Sequence, residues 1–234
     1  MVLSLLPWST VSSPKPRYAT SADYLSLNQL KRRYPESCSK EGNNGMRAEL
    51  HGPMLKTLRL TRRDVFGPAD KQHPISEPED AAVPQIGFVG QEYRAEGTIL
   101  LGINPGGGGD TYVRTAADSV LLPLIESLRD GEASRETLDA MFDEYAANMR
   151  TWNLWRIVLP VLEACGKNQT EIAYLNWCPF RTRKDSMPHA HAMRRSRDVY
   201  LAPLIEELAP VRIIALGKKA GNWLEKEPLG KVTR

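Results

Sequence analysis

The feature that most constrains this chain is an apolar run, residues 98–103, that breaks into Asn104-Pro105-Gly106-Gly107-Gly108-Gly109-Asp110. A continuous apolar run closed by a glycine- and proline-rich turn is the pattern of a strand buried on both faces of a parallel sheet. Two similar runs follow, 172–176 leading into Trp177-Cys178-Pro179, and 211–216 breaking at Gly217. Helical spacing fills the intervals: 120–128, 135–147, 151–165 closed by Gly166, 194–208 stopped by Pro210, and 218–225. Strands alternating with helices predict an α/β fold with a parallel sheet covered on both faces. Ligands of such sheets sit at the carboxyl ends of the strands. The loops after Ile103, Leu175 and Leu216 are therefore expected to converge on one site.

The chain before this pattern is different. Pro7, Pro14, Pro16, Pro35, Pro53, Pro68, Pro74, Pro78 and Pro84 punctuate it, and residues 42–45 form a polar loop. One helix is predicted at 22–33. Within 54–66 the alternation Leu58-Arg59-Leu60-Thr61 reads as an edge strand. Residues 1–85 are thus read as an extension wrapped on the core, and 86–234 as the α/β domain. The extension's dispersed arginines and lysines suit a solvated face or a binding surface.

With 234 residues, 41% apolar and 25% charged, the chain can build one full core and is not a disordered polymer. A net charge of +3 fits a nucleic-acid partner without requiring one. Cys38, Cys165 and Cys178 read as reduced intracellular thiols, and three cysteines cannot supply the four thiolates of an iron–sulfur cluster. Residues 1–8 are apolar but lack the basic start of a signal peptide, and no run of about 18 apolar residues suggests a membrane span. A cytoplasmic monomer with no membrane contact is the expectation. The four histidines are scattered without zinc-ligand spacing, so neither a metal nor another cofactor is expected.

In the glycine loop, absent side chains allow backbone to approach a ligand closely. A phosphate cradle is one reading, but no Gly-Lys-Ser/Thr follows, and Pro105 stands where a dinucleotide loop would want a free N–H. A flexible loop is the plain alternative. Asn176 ends its strand with an amide that can read a pyrimidine edge or satisfy its own turn. Lys218 and Lys219 open a helix after Gly217, where they suit solvent or a DNA phosphate.

Together these segments resemble the uracil-DNA glycosylase superfamily over roughly residues 97–226. Gly102-Ile103-Asn104-Pro105-Gly106 is similar to the first motif of its asparagine-containing branches. Ala173-Tyr174-Leu175-Asn176 is similar to the strand whose asparagine holds the flipped base, and Ile213-Ile214-Ala215-Leu216-Gly217 to the third strand and its turn. Trp152-Asn153-Leu154-Trp155-Arg156 resembles the helix between the first two motifs. The resemblance implies a three-layer sandwich around a mostly parallel four-stranded sheet. It also implies a monofunctional N-glycosylase acting on DNA, duplex or single-stranded, with a flipped base. In this reading Asn104 orients water, and Asn176 binds the base edge. Gly102, Ile103, Pro105, Gly106 and Gly107 line the base pocket, and Lys218, Lys219, Arg181 and Arg183 meet phosphates. Tyr112 is the first candidate to stack on the base, with Trp177 and Phe180 as alternatives; each also suits a core. Asp110 is a candidate base or a helix N-cap.

Two departures from the family pattern shape the reading. The family's last motif, a His-Pro-Ser segment with a catalytic histidine, is not found between the final helix and Arg234. His189, His191 and Lys218 are left to stabilise the departing base, although the histidines also suit a surface loop. Uracil-specific members place a tyrosine just after the first motif, where it collides with a 5-methyl group; here that stretch is Gly106-Gly107-Gly108-Gly109. The open wall implies a bulky 5-substituent, such as glucosylated hydroxymethylcytosine of phage DNA, alongside uracil. The rivals are a non-catalytic DNA- or nucleotide-binding protein of the same fold, and a Rossmann-type enzyme using the glycine loop for a cofactor.

Overall fold

A computed structural model describes residues 51–74, 82–107, 115–131 and 134–229. The helix predicted at 22–33 and the polar loop at 42–45 lie outside the described residues, as do Cys38, Gly108, Gly109, Asp110 and Tyr112. Among the described residues two helices come first, α1 (His51–Leu58) and α2 (Arg62–Phe66), then strand β1 (Gly87–Val89) and strand β2 (Thr98–Gly102). Helices α3 (Ala116–Arg129), α4 (Arg135–Met149) and α5 (Trp155–Cys165) lead to β3 (Ile172–Asn176). Helix α6 (Ala190–Ser196) passes through a π-turn (Arg197–Leu201) into α7 (Ala202–Leu208), followed by β4 (Arg212–Ala215) and α8 (Lys218–Lys226). Among the described residues no helix is long and apolar enough to cross a membrane.

The four strands form one sheet in the order β1-β3-β2-β4. β2 is parallel to both β3 and β4, as the alternation predicts, but β1 runs antiparallel to β3, so the sheet is mixed where a mostly parallel one was expected. The short span 87–89 carries too little pattern to have been read as a strand. Gly87 is what lets it pair there. Its φ is +99°, and a Cβ on it would meet the Tyr174 carbonyl oxygen at 1.9 Å.

The edge strand expected around Leu58-Arg59-Leu60-Thr61 is not formed. Leu58 closes α1, and Thr61 caps α2 in a capping box with Asp64. Met54 and Leu58, four residues apart, are both fully buried in the main core with β2, β3 and α3, so helical rather than alternating spacing decides this segment. The helix predicted at 194–208 is longer and not continuous. Pro203 lacks the N–H that would bond Val199 and crowds that carbonyl, which accounts for the π-turn just before it. Gly166 closes α5 in the left-handed conformation, φ 62°.

All of β2 and β3 is buried, whereas β4 is exposed at Arg212 and only half-buried beyond it. A second small cluster, Val65, Phe66, Cys178, Phe180 and Ala192, pins the chain after β3 between α2 and α6. Every residue from 172 to 182 is buried, and this loop is part of the interior.

Candidate active site at the strand ends

Because β2, β3 and β4 run parallel, their carboxyl ends lie together. Gly102 pairs with Asn176, Cys178 N donates to the Ile103 carbonyl at 2.8 Å, and Leu216 N donates to the Leu101 carbonyl at 2.8 Å. The three loops singled out in the sequence thus leave the sheet side by side.

Asn104 is half-buried at the end of β2. Its Nδ2 donates to Thr182 Oγ1 at 3.0 Å and reaches the Pro105 carbonyl at 3.4 Å. The Thr182 hydroxyl gives its single proton to the Ser186 carbonyl, so its oxygen can only accept from Asn104. Two acceptors on one side of the amide fix which end is nitrogen. Asn104 Oδ1 is left as an acceptor with no partner among the described residues.

Asn176 is placed differently. It is wholly buried; Oδ1 accepts from the Tyr174 hydroxyl at 2.9 Å, and Nδ2 donates to the Gln85 carbonyl at 3.2 Å and approaches the Tyr145 hydroxyl at 3.5 Å. Burial raises the pKa of both tyrosines well above the ordinary range, which keeps both hydroxyls neutral and Tyr174 a donor to Asn176. Gly102 makes room for this cluster: a Cβ there would lie 2.9 Å from Asn176 Oδ1 and 3.0 Å from the Tyr174 oxygen.

Arg181, expected at a phosphate, is buried instead. Nη2 meets Asp118 Oδ1 at 2.6 Å and Nε donates to the Gly106 carbonyl at 2.7 Å. Asp118 also receives Gln85 Nε2 at 3.2 Å and the Thr115 N–H at 2.9 Å, completing the capping box that starts α3. Arg181 and Asp118 therefore hold both sides of the glycine loop, at Gly106 and at the start of α3. Gly107 is exposed above this pair, and a Cβ on it would come to 3.6 Å of Arg181 Nε.

Trp177 and Phe180 are fully buried, Trp177 with its Nε1 on the Met193 carbonyl, so neither presents a face to a ligand. His189 caps α6, its Nδ1 accepting from Ala192 N, and packs edge-on against Phe66 and beside His191; both histidines are exposed. Arg183, Lys218 and Lys219 are exposed, with the lysines at the start of α8. Pro105 is buried, Ile103 half-buried and Gly106 exposed.

Sequence reasoning missed Asp118, Gln85, Thr182 and Tyr145. Only one of them carried a local signal, Thr115-Ala116-Ala117-Asp118, which is a capping-box spacing. The others join the site through separations of 31 to 91 residues. No family model, curated protein or solved structure matches the chain.

Proposed function

We propose that this protein is a monofunctional DNA glycosylase that flips out a pyrimidine and hydrolyses its N-glycosidic bond, leaving an abasic site. The observation that carries the reading is Asn104, clamped by its amide nitrogen at the carboxyl end of a central strand with its oxygen left over. Bond cleavage passes through a sugar cation, so the site needs negative polarisation and a placed water rather than a strong base. An amide oxygen held in one orientation supplies that positioning. The likeness of Gly102-Ile103-Asn104-Pro105-Gly106 to the first motif of the uracil-DNA glycosylase superfamily supports the same reading, as do the parallel β3-β2-β4 strands of the mixed sheet.

Gly106 and Gly107 present no side chain, which supports a pocket that takes a pyrimidine with a bulky 5-substituent, glucosylated 5-hydroxymethylcytosine or a like base, as well as uracil. Arg183, Lys218 and Lys219 are the phosphate contacts of this proposal. Arg181 is not one, because its guanidinium already serves Asp118 and Gly106. Flipping a base costs a few kcal/mol, which contacts to the extruded nucleotide must offset.

One observation favours a second reading. The Asn176 amide is closed off by Tyr174 and Gln85, so reading a base edge requires it to exchange those partners. A protein that keeps the fold and binds DNA or nucleotides without cleaving would leave Asn176 as it is. Oligonucleotides containing uracil, a thymine mismatch or glucosylated hydroxymethylcytosine, offered single-stranded and as duplexes, separate the two. Abasic sites formed by the parent and lost in Asn104→Ala establish the glycosylase; binding of all without cleavage establishes the rival.

A further inference from the structure

The segment before the sheet grips the turn that orients Asn104. Gln72 is its centre. Its backbone carbonyl accepts from Arg183 N at 2.8 Å, its Nε2 donates to Ser186 Oγ at 3.2 Å and the Met187 carbonyl at 3.0 Å, and its Oε1 accepts from His189 N at 2.9 Å. Gln72 is in turn held by Asp70, whose Oδ1 accepts from Gln72 N at 3.0 Å and whose Oδ2 pairs with Arg62 Nε at 2.6 Å. Arg62 also donates to the Arg181 carbonyl.

Between these grips the backbone is strained. Lys184 and Asp185 are consecutive non-glycine residues at φ 56° and 49°, a left-handed conformation that survives only where neighbours over-determine it. The bonds from Gln72 fall on both sides of that pair, at Arg183 and at Ser186 and Met187. The pair also lies inside the span closed by the Thr182 hydroxyl on the Ser186 carbonyl, and it is this bond that leaves Thr182 Oγ1 as the acceptor for Asn104 Nδ2.

We infer that Gln72 is a positioning residue for Asn104, acting through the strained Thr182–Met187 turn, so that the segment preceding the sheet is a working part of the site. This rests on the glycosylase reading only for its consequence in turnover; the geometry itself has a separate readout. In the full-length protein, Gln72→Glu keeps the shape and an acceptor for His189 N but removes both donors to Ser186 and Met187. Displacing a reacting group by about 1 Å costs on the order of 10²-fold, so kcat for whichever modified oligonucleotide the parent cleaves should fall about tenfold to a hundredfold, with KM little changed. Thr182→Val should cause a similar loss and Thr182→Ser should restore turnover. The Gln72→Glu, Thr182→Val double variant should lose little more than either alone, because both act on one group.

The side-chain amide protons of Asn104, identified by their disappearance in Asn104→Ala, should shift in Gln72→Glu whether or not DNA is cleaved. Parental turnover in Gln72→Glu, losses that multiply in the double variant, or unmoved Asn104 amide resonances would each overturn the inference. Parental turnover in Asn104→Ala, or no cleavage of any oligonucleotide by the parent, would instead overturn the glycosylase reading and leave the amide measurement to decide the positioning.

Discussion

Asn104 and Asn176 occupy neighbouring places at the carboxyl ends of adjacent parallel strands, yet their surroundings treat them in opposite ways. Asn176 is enclosed, with its donor and acceptor both taken by Tyr174 and Gln85. Asn104 is half-buried, held on one side only, and keeps an acceptor for a visitor. The same side chain is fully tied into the fold in one place and keeps a spare acceptor in the other. What separates them is how many of the amide's hydrogen bonds the fold itself completes.

The hardest way to break this contrast is at Asp118, which serves both halves. It bonds Arg181, which holds Gly106 on the Asn104 side, and Gln85, whose carbonyl holds Asn176. Asp118→Asn removes the carboxylate paired with the buried Arg181 guanidinium and should cost about 3–5 kcal/mol of unfolding free energy together with the activity. Denaturant unfolding and cleavage assays measured on one preparation check it; parental stability would show that the pair does not hold the loop.

The contrast is sharpened by truncating each asparagine. Asn104→Ala should lower kcat about 10²- to 10³-fold while unfolding changes by about 0.5 kcal/mol or less. Asn176→Ala should cost about 2–4 kcal/mol of stability, since a buried hydroxyl and a buried carbonyl lose their partner. Thermal unfolding of the pair would refute the comparison if the two variants lost the same stability.

A smaller effect is a pH dependence that the closed side shares with the buried Tyr93 and Tyr200. Burial raises the folded-state pKa of Tyr145 and Tyr174 above the unfolded value of about 10, so the stability they confer is complete below pH 10 and is lost as pH rises further. Unfolding midpoints between pH 8 and 11 should stay level and then fall, less steeply in Tyr145→Phe. A flat profile to pH 11 would mean that the hydroxyls are not sealed in.

The smallest effect lies on the exposed rim. Lys218→Ala and Lys219→Ala should each reduce the slope of log affinity against log salt by about 0.9 for duplex DNA, with cleavage at saturation unchanged. An unchanged salt slope would remove α8 from the DNA path.

Much of the scaffold was legible because its signals are local. Residues 172–176 read as a strand from their apolar run alone, and the end of α5 from Gly166, whose left-handed backbone closes the helix. Asn104 was legible for the same reason, standing where an apolar run meets glycines. β1 was not, since three residues form a strand only because β3 offers an edge and Gly87 lets the chain come close. Leu58-Arg59-Leu60-Thr61 misled because four residues of alternation also occur where a helix ends and the next is capped.

The sequence by itself determined the alternation of strands and helices from residue 98 onward, the parallel run of β2, β3 and β4, and the presence of an asparagine at each of two strand ends. Only the tertiary structure decided what those asparagines do. Arg181 becomes a latch because Asp118, 63 residues away, is folded against it, and Thr182 becomes the keeper of Asn104 because Gln72 braces its turn. Periodicity along a chain reports which face is buried. It carries no record of which distant polar group will complete a hydrogen bond, and here those bonds separate the closed asparagine from the open one.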